Sequence, residues 1–270
     1  MAVAETAAPT PAASPAPASD AAPTVIADNV NIIYKVTAGS GGKGTAATAF
    51  RRILKRQDRP TIREVHAVKN VTFTAHKGDA IGLIGRNGSG KSTLLRAIAG
   101  LLPPASGAIY TGGQPSLLGV NAAMMNDLTG DRNVVLGCLA MGMSPAEIDE
   151  RYDEIVEFSG IGDFIDLPMS TYSSGMSARL KFAIASAKTH DILLVDEALA
   201  TGDAEFRVRS EQKIKDLRDQ AGTVFLVSHS LDVVLDTCNR AIWLDKGVLR
   251  MDGDVKEVVD AYNKEATGKR

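Results

Sequence analysis

Gly85-Arg86-Asn87-Gly88-Ser89-Gly90-Lys91-Ser92-Thr93 has the spacing G-x-x-x-x-G-K-S. It lies between the apolar run Ala80-Ile81-Gly82-Leu83-Ile84 and the helical stretch Thr93-Leu94-Leu95-Arg96-Ala97-Ile98-Ala99. Strand, glycine-rich turn and helix, in that order, form the setting in which such a loop wraps a nucleotide's phosphates. The glycines let successive backbone N–H groups turn inward on phosphate oxygens, and the helix N-terminus adds a favourable partial charge. Gly85, Asn87, Gly88, Ser89, Gly90, Lys91, Ser92 and Thr93 are the candidate binding residues. Lys91 is placed to reach the β- and γ-phosphates, and the Ser92 hydroxyl to ligate Mg2+. An accidental glycine-rich turn is the bland alternative, and the flanking strand and helix argue against it.

A phosphate loop alone does not separate kinases, GTPases, helicases and transport ATPases, so the rest of the chain must discriminate. Asp191-Ile192-Leu193-Leu194-Val195-Asp196-Glu197 is an apolar strand ending in two carboxylates. They fall at the C-terminal edge, where parallel sheets bind ligands. Asp196 can hold Mg2+ through water, and Glu197 then polarises the attacking water. Without the loop, the same pair would read as a solvated acidic turn. Phe225-Leu226-Val227-Ser228-His229-Ser230 is a second apolar strand, ending in a histidine that by itself is a satisfied strand-end residue as readily as a catalytic one. In Tyr172-Ser173-Ser174-Gly175-Met176-Ser177-Ala178-Arg179-Leu180, small polar residues precede a helix expected to begin near Met176. That is either a plain N-cap or a second anion site.

Composition narrows the class. The chain has 270 residues, 44% hydrophobic and 23% charged, enough for one large α/β domain or two small ones. A net charge of -2 and a pI near 6.1 supply no general drive toward nucleic acid, which is not expected as a partner. Cys138 and Cys238 are far apart in a chain without a secretory signal, so they are expected as reduced thiols rather than a disulfide or metal site. No run approaches the roughly 18 apolar residues of a membrane span, so any membrane role is peripheral or through a partner.

Residues 1–24, rich in Ala, Pro, Ser and Thr, read as a disordered tail. Residues 24–36 alternate like a first strand, and a Gly/Ser/Ala run follows. In Phe50-Arg51-Arg52-Ile53-Leu54-Lys55-Arg56 the apolar residues recur at i, i+3 and i+4, giving a short amphipathic helix with basic residues Arg51, Arg52, Lys55 and Arg56. Pro60 stops it, so 38–60 is a loop-plus-helix insertion, and strand alternation resumes at His66–Thr74. Ile192–Val195 and Thr223–Val227 read as parallel strands buried on both faces. A helix-rich subdomain covers about residues 121–190. The whole is one α/β domain over 25–265, with 266–270 as a short tail.

Tyr172-Ser173-Ser174-Gly175-Met176, about twenty residues before Asp196, resembles the Leu-Ser-Gly-Gly-Gln signature of ABC transporter ATPases. Tyr172, Ser174 and Met176 depart from it, while Ser173 and Gly175 keep their places. The resemblance runs from about Val25 to Leu249 with the core motifs in order. It implies a P-loop ABC ATPase with a RecA-like core, an antiparallel β subdomain and a helical subdomain, using ATP and Mg2+. It also implies a head-to-tail homodimer in which Ser173, Ser174 and Gly175 of one copy complete the ATP site of the other. His229 would be the switch histidine acting with Glu197, and Ala198–Asp203 the D-loop, with Asp203 between the copies. The aromatic stacked on adenine is expected to be Tyr34, with His66 as the alternative. The family's glutamine after the third or fourth strand is missing from Leu117–Ala122, where Asn121 is the candidate substitute.

The signature wording, the run Val195–Asp203, the segment Leu128-Thr129-Gly130-Asp131-Arg132-Asn133 and the insertion before His66 are similar to one branch, the polysaccharide-exporter ATPases. That branch serves O-antigen, teichoic acid and mycobacterial-type galactan, and the Ala/Pro-rich tail leans toward galactan. It implies an ATPase driving export of a polyprenyl-pyrophosphate-linked cell-envelope polysaccharide, peripheral on the cytoplasmic face of the plasma membrane. Its partners would be two copies of a polytopic permease and, through them, the lipid-linked glycan. The counterpart of the branch's gate helix is residues 45–57, where Arg51, Arg52, Lys55 and Arg56 would attract pyrophosphate or anionic headgroups. A merely solvated helix face would look the same. The last expected elements, a strand pair and a helix at about Val255–Glu265, leave no room for the carbohydrate-binding β-domain of some members. Teichoic acid export, small-solute transport and a soluble non-transport ABC ATPase remain the alternatives.

Overall fold

Alternating burial in two long strands shapes the first layer. In the computed structural model, which describes residues 21–38, 61–118, 124–188, 190–196, 204–228 and 230–267, β1 spans Pro23–Ala38 and β2 spans Thr61–His76. They pair antiparallel, and Val25, Ala27, Val30 and Ile32 from β1 face Val68, Val71, Phe73 and Ala75 from β2 in the core. The register shifts around Asn29–Asn31, with Asn29 and Asn70 both at φ 48. Asparagine tolerates this left-handed conformation. Asn31 ties the irregularity together: its Nδ2 donates to the Asn29 carbonyl (3.0 Å) and to Asn70 Oδ1 (2.8 Å), and its Oδ1 accepts from the Asn70 amide (3.0 Å).

β1 begins at Pro23, two residues inside the expected tail, because Thr24 is already bonded: its carbonyl accepts from the Gly112 amide at 2.7 Å, and its hydroxyl meets Thr223 Oγ1 at 2.6 Å. β2 starts five residues ahead of His66, paired with the far end of β1. The rest of the insertion, residues 39–60 with Arg51, Arg52, Lys55 and Arg56, lies outside the described residues.

β3 (Ala80–Ile84) enters the central sheet, and β4 (Ser106–Thr111) returns to β1, giving the small sheet the order β2-β1-β4. The central sheet adds β5 (Pro115–Leu117), β6 (Ile192–Val195), β7 (Thr223–Val227), β8 (Arg240–Asp245) and β9 (Val248–Asp254), in the order β5-β6-β7-β3-β8-β9. It is parallel except for β9, which runs antiparallel to β8. β3, β6 and β7 are buried at every position, as their continuous apolar runs require of strands covered on both faces.

The helices are α1 (Lys91–Ile98), α2 (Gly130–Ala140), α3 (Pro145–Ser159), α4 (Ser174–Ala185), α5 (Ala204–Gln220), α6 (Leu231–Thr237) and α7 (Val255–Thr267). α7 runs two residues into the expected 266–270 tail. α3 shows how firmly local sequence sets a boundary. Ser144 caps the Glu147 amide while Glu147 reaches back to the Ser144 amide (2.7 Å), Pro145 occupies the first turn, and Gly160 ends the helix at φ 62.

Among the described residues three apolar clusters hold these layers, each fully buried large side chain contributing about 1.5–3 kcal/mol. One joins the small sheet and α1 to a face of the central sheet, where the rings of Phe73 and Phe225 lie 6.0 Å apart. The second covers the opposite face, and there Trp243 of β8 meets Tyr262 of α7 edge-on at 5.6 Å. The third sits among α2, α3 and α4, around Val134, Ile148, Ile155 and Leu180. α4 belongs to two of them, with Phe182 in the second and Leu180 in the third. Phe158 of α3 stacks on Phe182 (5.8 Å) and meets Phe206 of α5 edge-on (5.6 Å), so the helical layer is fastened to the central one. Cys138 and Cys238 are both buried and are not joined in a disulfide, and burial pushes the Cys138 thiol up to about 11.

Candidate functional site

The chain leaves β3 at Gly85 with φ 141, and a Cβ there would collide with the Leu244 carbonyl of the neighbouring β8. Gly90 (φ 104) is packed the same way against the Ala67 carbonyl of β2. The loop between them is braced from behind: the Ser89 amide donates to the Arg86 carbonyl (3.1 Å), and the Gly247 amide to the Ser89 carbonyl (3.0 Å). On the open side, a Cβ on Gly88 would meet nothing within 4 Å. α1 starts directly after Gly90 with no side-chain cap and no acidic residue in its first turn, which leaves its N-terminal amides for a ligand.

Lys91 is 7% exposed, and its ammonium donates to the Gly85 carbonyl (2.7 Å) and the Arg86 carbonyl (3.1 Å), folding the side chain back across the loop. Ser89 Oγ is buried and has no hydrogen-bond partner among the described residues, an orphan of the kind an incoming polar ligand satisfies. Asn87 through Thr93, together with Arg96, Asp196 and Val227, line an open groove of about 540 Å³. The Ser92 hydroxyl donates to Asp196 Oδ1 at 3.2 Å within it. Arg96 and Val227 were not singled out in the sequence, though Arg96 lies one helical turn beyond Ser92, where the same face of α1 recurs. Glu197, Asp203 and His229 lie outside the described residues. The structure carries the chain as far as Asp196 at the end of β6 and Ser228 at the end of β7.

Tyr34 and His66 cannot serve the same surface. Tyr34 pairs with Val65 and Ile33 with His66, and successive strand residues point to opposite faces. The Tyr34 hydroxyl donates to Thr93 Oγ1 at 3.4 Å, beside the phosphate loop. His66 Nε2 instead lies 3.0 Å from Asn31 Oδ1, an atom that only accepts, so that ring nitrogen carries the proton. Val65, 45% exposed on Tyr34's face, is a candidate that sequence alone could not reveal, because it depends on the register of the pair.

Ser173 is the N-cap of α4, its hydroxyl accepting from the Met176 amide at 3.1 Å. That bond starts the helix at Ser174, two residues ahead of the expected start, and puts Ser174 and Gly175 in its first turn. None of Ser173, Ser174 and Gly175 lines the phosphate groove of their own chain. Next to them the Tyr172 hydroxyl donates to the Phe164 carbonyl at 2.7 Å, and burial raises its phenol above the usual range. Asn121 lies outside the described residues. Asn133, in the same stretch of sequence, is fully buried, and its carboxamide bonds to Met125, Leu128 and Thr129 backbone atoms at 2.8–3.1 Å.

A parallel sheet with a phosphate loop at the end of β3 and a carboxylate at the end of β6 defines a P-loop nucleotide-binding domain. The ABC transporter family profile matches residues 68–200. The chain is 39% identical over 201 residues to the O-antigen export system ATP-binding protein RfbB of Klebsiella pneumoniae, covering 74% of this chain and 82% of that protein. It is 43% identical over 196 residues to the teichoic acids export ATP-binding protein TagH of Enterococcus faecalis, covering 73% of this chain and 44% of that one. The chain spans about half the length of the teichoic acid export relatives it matches. A dimeric ATP-binding cassette solved in a post-hydrolysis state with ADP and phosphate shares the fold, with a TM-score of 0.65 at 23% identity over 86% of this chain and 98% of that one. The chain belongs to the family of ABC transporter ATP-binding proteins. No helix among the described residues is long and apolar enough to cross a membrane.

Proposed function

We propose that this chain is the ATP-binding and ATP-hydrolysing subunit that drives export of a polyprenyl-pyrophosphate-linked cell-envelope polysaccharide, of the O-antigen or teichoic acid kind. The observation that carries the reading is the match along 82% of an O-antigen export ATP-binding protein at 39% identity. The groove formed by the phosphate loop and Asp196 supports the nucleotide part. Galactan rests on the Ala/Pro-rich tail alone and is a narrower variant of the same reading.

Lys91, held in reserve by two backbone carbonyls, turns to the β- and γ-phosphates when ATP enters. Tyr34 and Val65 offer an aromatic and an apolar surface to adenine. Ser92 and Asp196 bring a hydroxyl and a carboxylate together in the groove, hard oxygen donors suited to Mg2+. Bound there, Mg2+ would neutralise charge on the phosphoryl oxygens. Glu197 polarises the attacking water, and His229 acts with it as the switch histidine. Ser173, Ser174 and Gly175 face the γ-phosphate of a second copy, because the N-terminus of α4 is an anion-attracting helix end outside its own groove. Asp203 lies between the copies. Closure of this homodimer moves two copies of a polytopic permease that carry the lipid-linked glycan, with the ATPase peripheral on the cytoplasmic face. Arg51, Arg52, Lys55 and Arg56 form the gate helix near the pyrophosphate and headgroups.

The test is affinity purification of the full chain from its own host, followed by turnover measurements. A polytopic membrane protein should accompany it, and Glu197→Gln should stop hydrolysis while ATP stays bound. Recovery with ribosomes and no membrane partner would favour a soluble ABC ATPase and overturn the export reading. Undiminished turnover in Glu197→Gln would remove that residue from its role. Neutralising Arg51, Arg52, Lys55 and Arg56 together should impair export and leave ATP binding intact.

A further inference from the structure

Two stretches of the helical layer are strapped together just ahead of Ser173. The Gly130 amide donates to the Leu167 carbonyl (3.2 Å) and the Asp131 amide to Ile165 (2.9 Å), while the Met169 amide donates to Leu128 (2.9 Å) and the Ser170 amide to Asn126 (2.8 Å). Thr129 and Pro168 pair as an antiparallel bridge in the middle. The buried Asn133 carboxamide locks the first stretch, taking up the Met125 amide and three carbonyls. Tyr172 closes the strap. Its hydroxyl donates to the Phe164 carbonyl at 2.7 Å and lies so close to Gly130 that any Cβ there would strike it. The next residue in the chain is the N-cap of α4.

We propose that Tyr172 is a positioning residue: its hydroxyl, wedged between the Phe164 carbonyl and Gly130, fixes the direction in which Ser173 and the first turn of α4 are presented to the nucleotide held by a second copy of the chain. An aliphatic side chain could fill the same volume but could not make this bond, and a side chain on Gly130 could not coexist with it. The hydroxyl and the glycine are thus fitted to each other. The inference rests on the two-copy reading above.

The experiment uses the full chain with ATP and excess EDTA, so that hydrolysis is stopped. Dimer formation is followed by analytical ultracentrifugation, and binding to the monomer by a fluorescent ATP analogue at low protein concentration. Tyr172→Phe should raise the ATP concentration for half-maximal dimer roughly fivefold, the effect of one net hydrogen bond, with monomer affinity unchanged. Gly130→Ala should produce the same defect, and the two substitutions should be less than additive, since the added methyl then strikes no hydroxyl. The methyl still meets Ile165, so relief should be partial. Dimerisation of Tyr172→Phe at the unsubstituted chain's ATP concentration overturns the positioning role and leaves the two-copy reading standing. A parallel loss of monomer affinity overturns it too, because Tyr172 would then support the fold at large. If the unsubstituted chain does not dimerise with ATP, the two-copy reading falls, and this inference with it.

Discussion

Ser92 and Asp196 are 104 residues apart in the chain, and their hydroxyl and carboxylate meet at 3.2 Å. Ser92 sits in the first turn of α1, which follows β3, and Asp196 directly follows β6; these strands do not touch, because β7 lies between them, so the contact forms across the end of that strand, beside Val227. Asp196→Asn keeps the shape and removes the charge. Mg2+-dependent ATP hydrolysis should fall by roughly 100-fold, the usual loss when one electrostatic contact to developing charge is removed. Binding of Mg2+-free ATP should change little. Steady-state turnover and nucleotide titration with and without Mg2+ check both halves.

The loop's glycines are not equivalent. Gly85→Ala drives a methyl into the Leu244 carbonyl, and Gly90→Ala into the Ala67 carbonyl, both at positive φ, so both should prevent normal folding of the domain. Gly88→Ala has open space and only its φ of 78 to tolerate, a cost of about 1–2 kcal/mol. Urea denaturation of the three variants should separate one folded protein from two that are not.

Arg240 joins three elements at the other end of the sheet. Its guanidinium makes two bonds to Asp252 at 2.7 Å each, one to Asp79 at 2.9 Å and one to the Thr74 carbonyl at 2.8 Å. Burial disfavours its charge, yet the two carboxylates hold its pKa above the ordinary value. Arg240→Met leaves those carboxylates facing each other. The expected loss is roughly 2–3 kcal/mol, below that of a fully buried pair because the site is partly exposed. Equilibrium unfolding at neutral pH measures it.

Burial lowers the pKa of His190 below its ordinary 6.5, although the Ala185 carbonyl, 3.1 Å from Nε2, favours the charged ring. The unfolded chain therefore binds the proton first as pH falls. Stability should decline from pH 6.5 down to the folded-state pKa and level off below it. His190→Gln removes this titration, so its stability should be flatter across that window in pH-dependent thermal unfolding.

Much of the frame was legible because it is written in local chemistry. The phosphate loop announces itself through glycines that the backbone needs, and β3, β6 and β7 through apolar runs that only strands covered on both faces carry. What required structure is what depends on register. Tyr34 and His66 are equivalent in the sequence, and only strand pairing puts them on opposite faces and brings Val65 into view. Asn133 looks like any polar helix residue until its burial shows four backbone bonds. The start of α4 moved because a hydroxyl cap reaches three residues forward, where the apolar pattern has not yet begun.

Trp243, the chain's single tryptophan, is 8% exposed where β8 meets Tyr262 of α7. Its strand is hydrogen-bonded to β3, the strand that ends in the phosphate loop. The protein thus contains its own optical gauge. Without any label, the colour and intensity of its ultraviolet emission follow the docking of the last helix, and a nucleotide titration read at that wavelength registers whether the loop's occupancy is felt on the far side of the sheet.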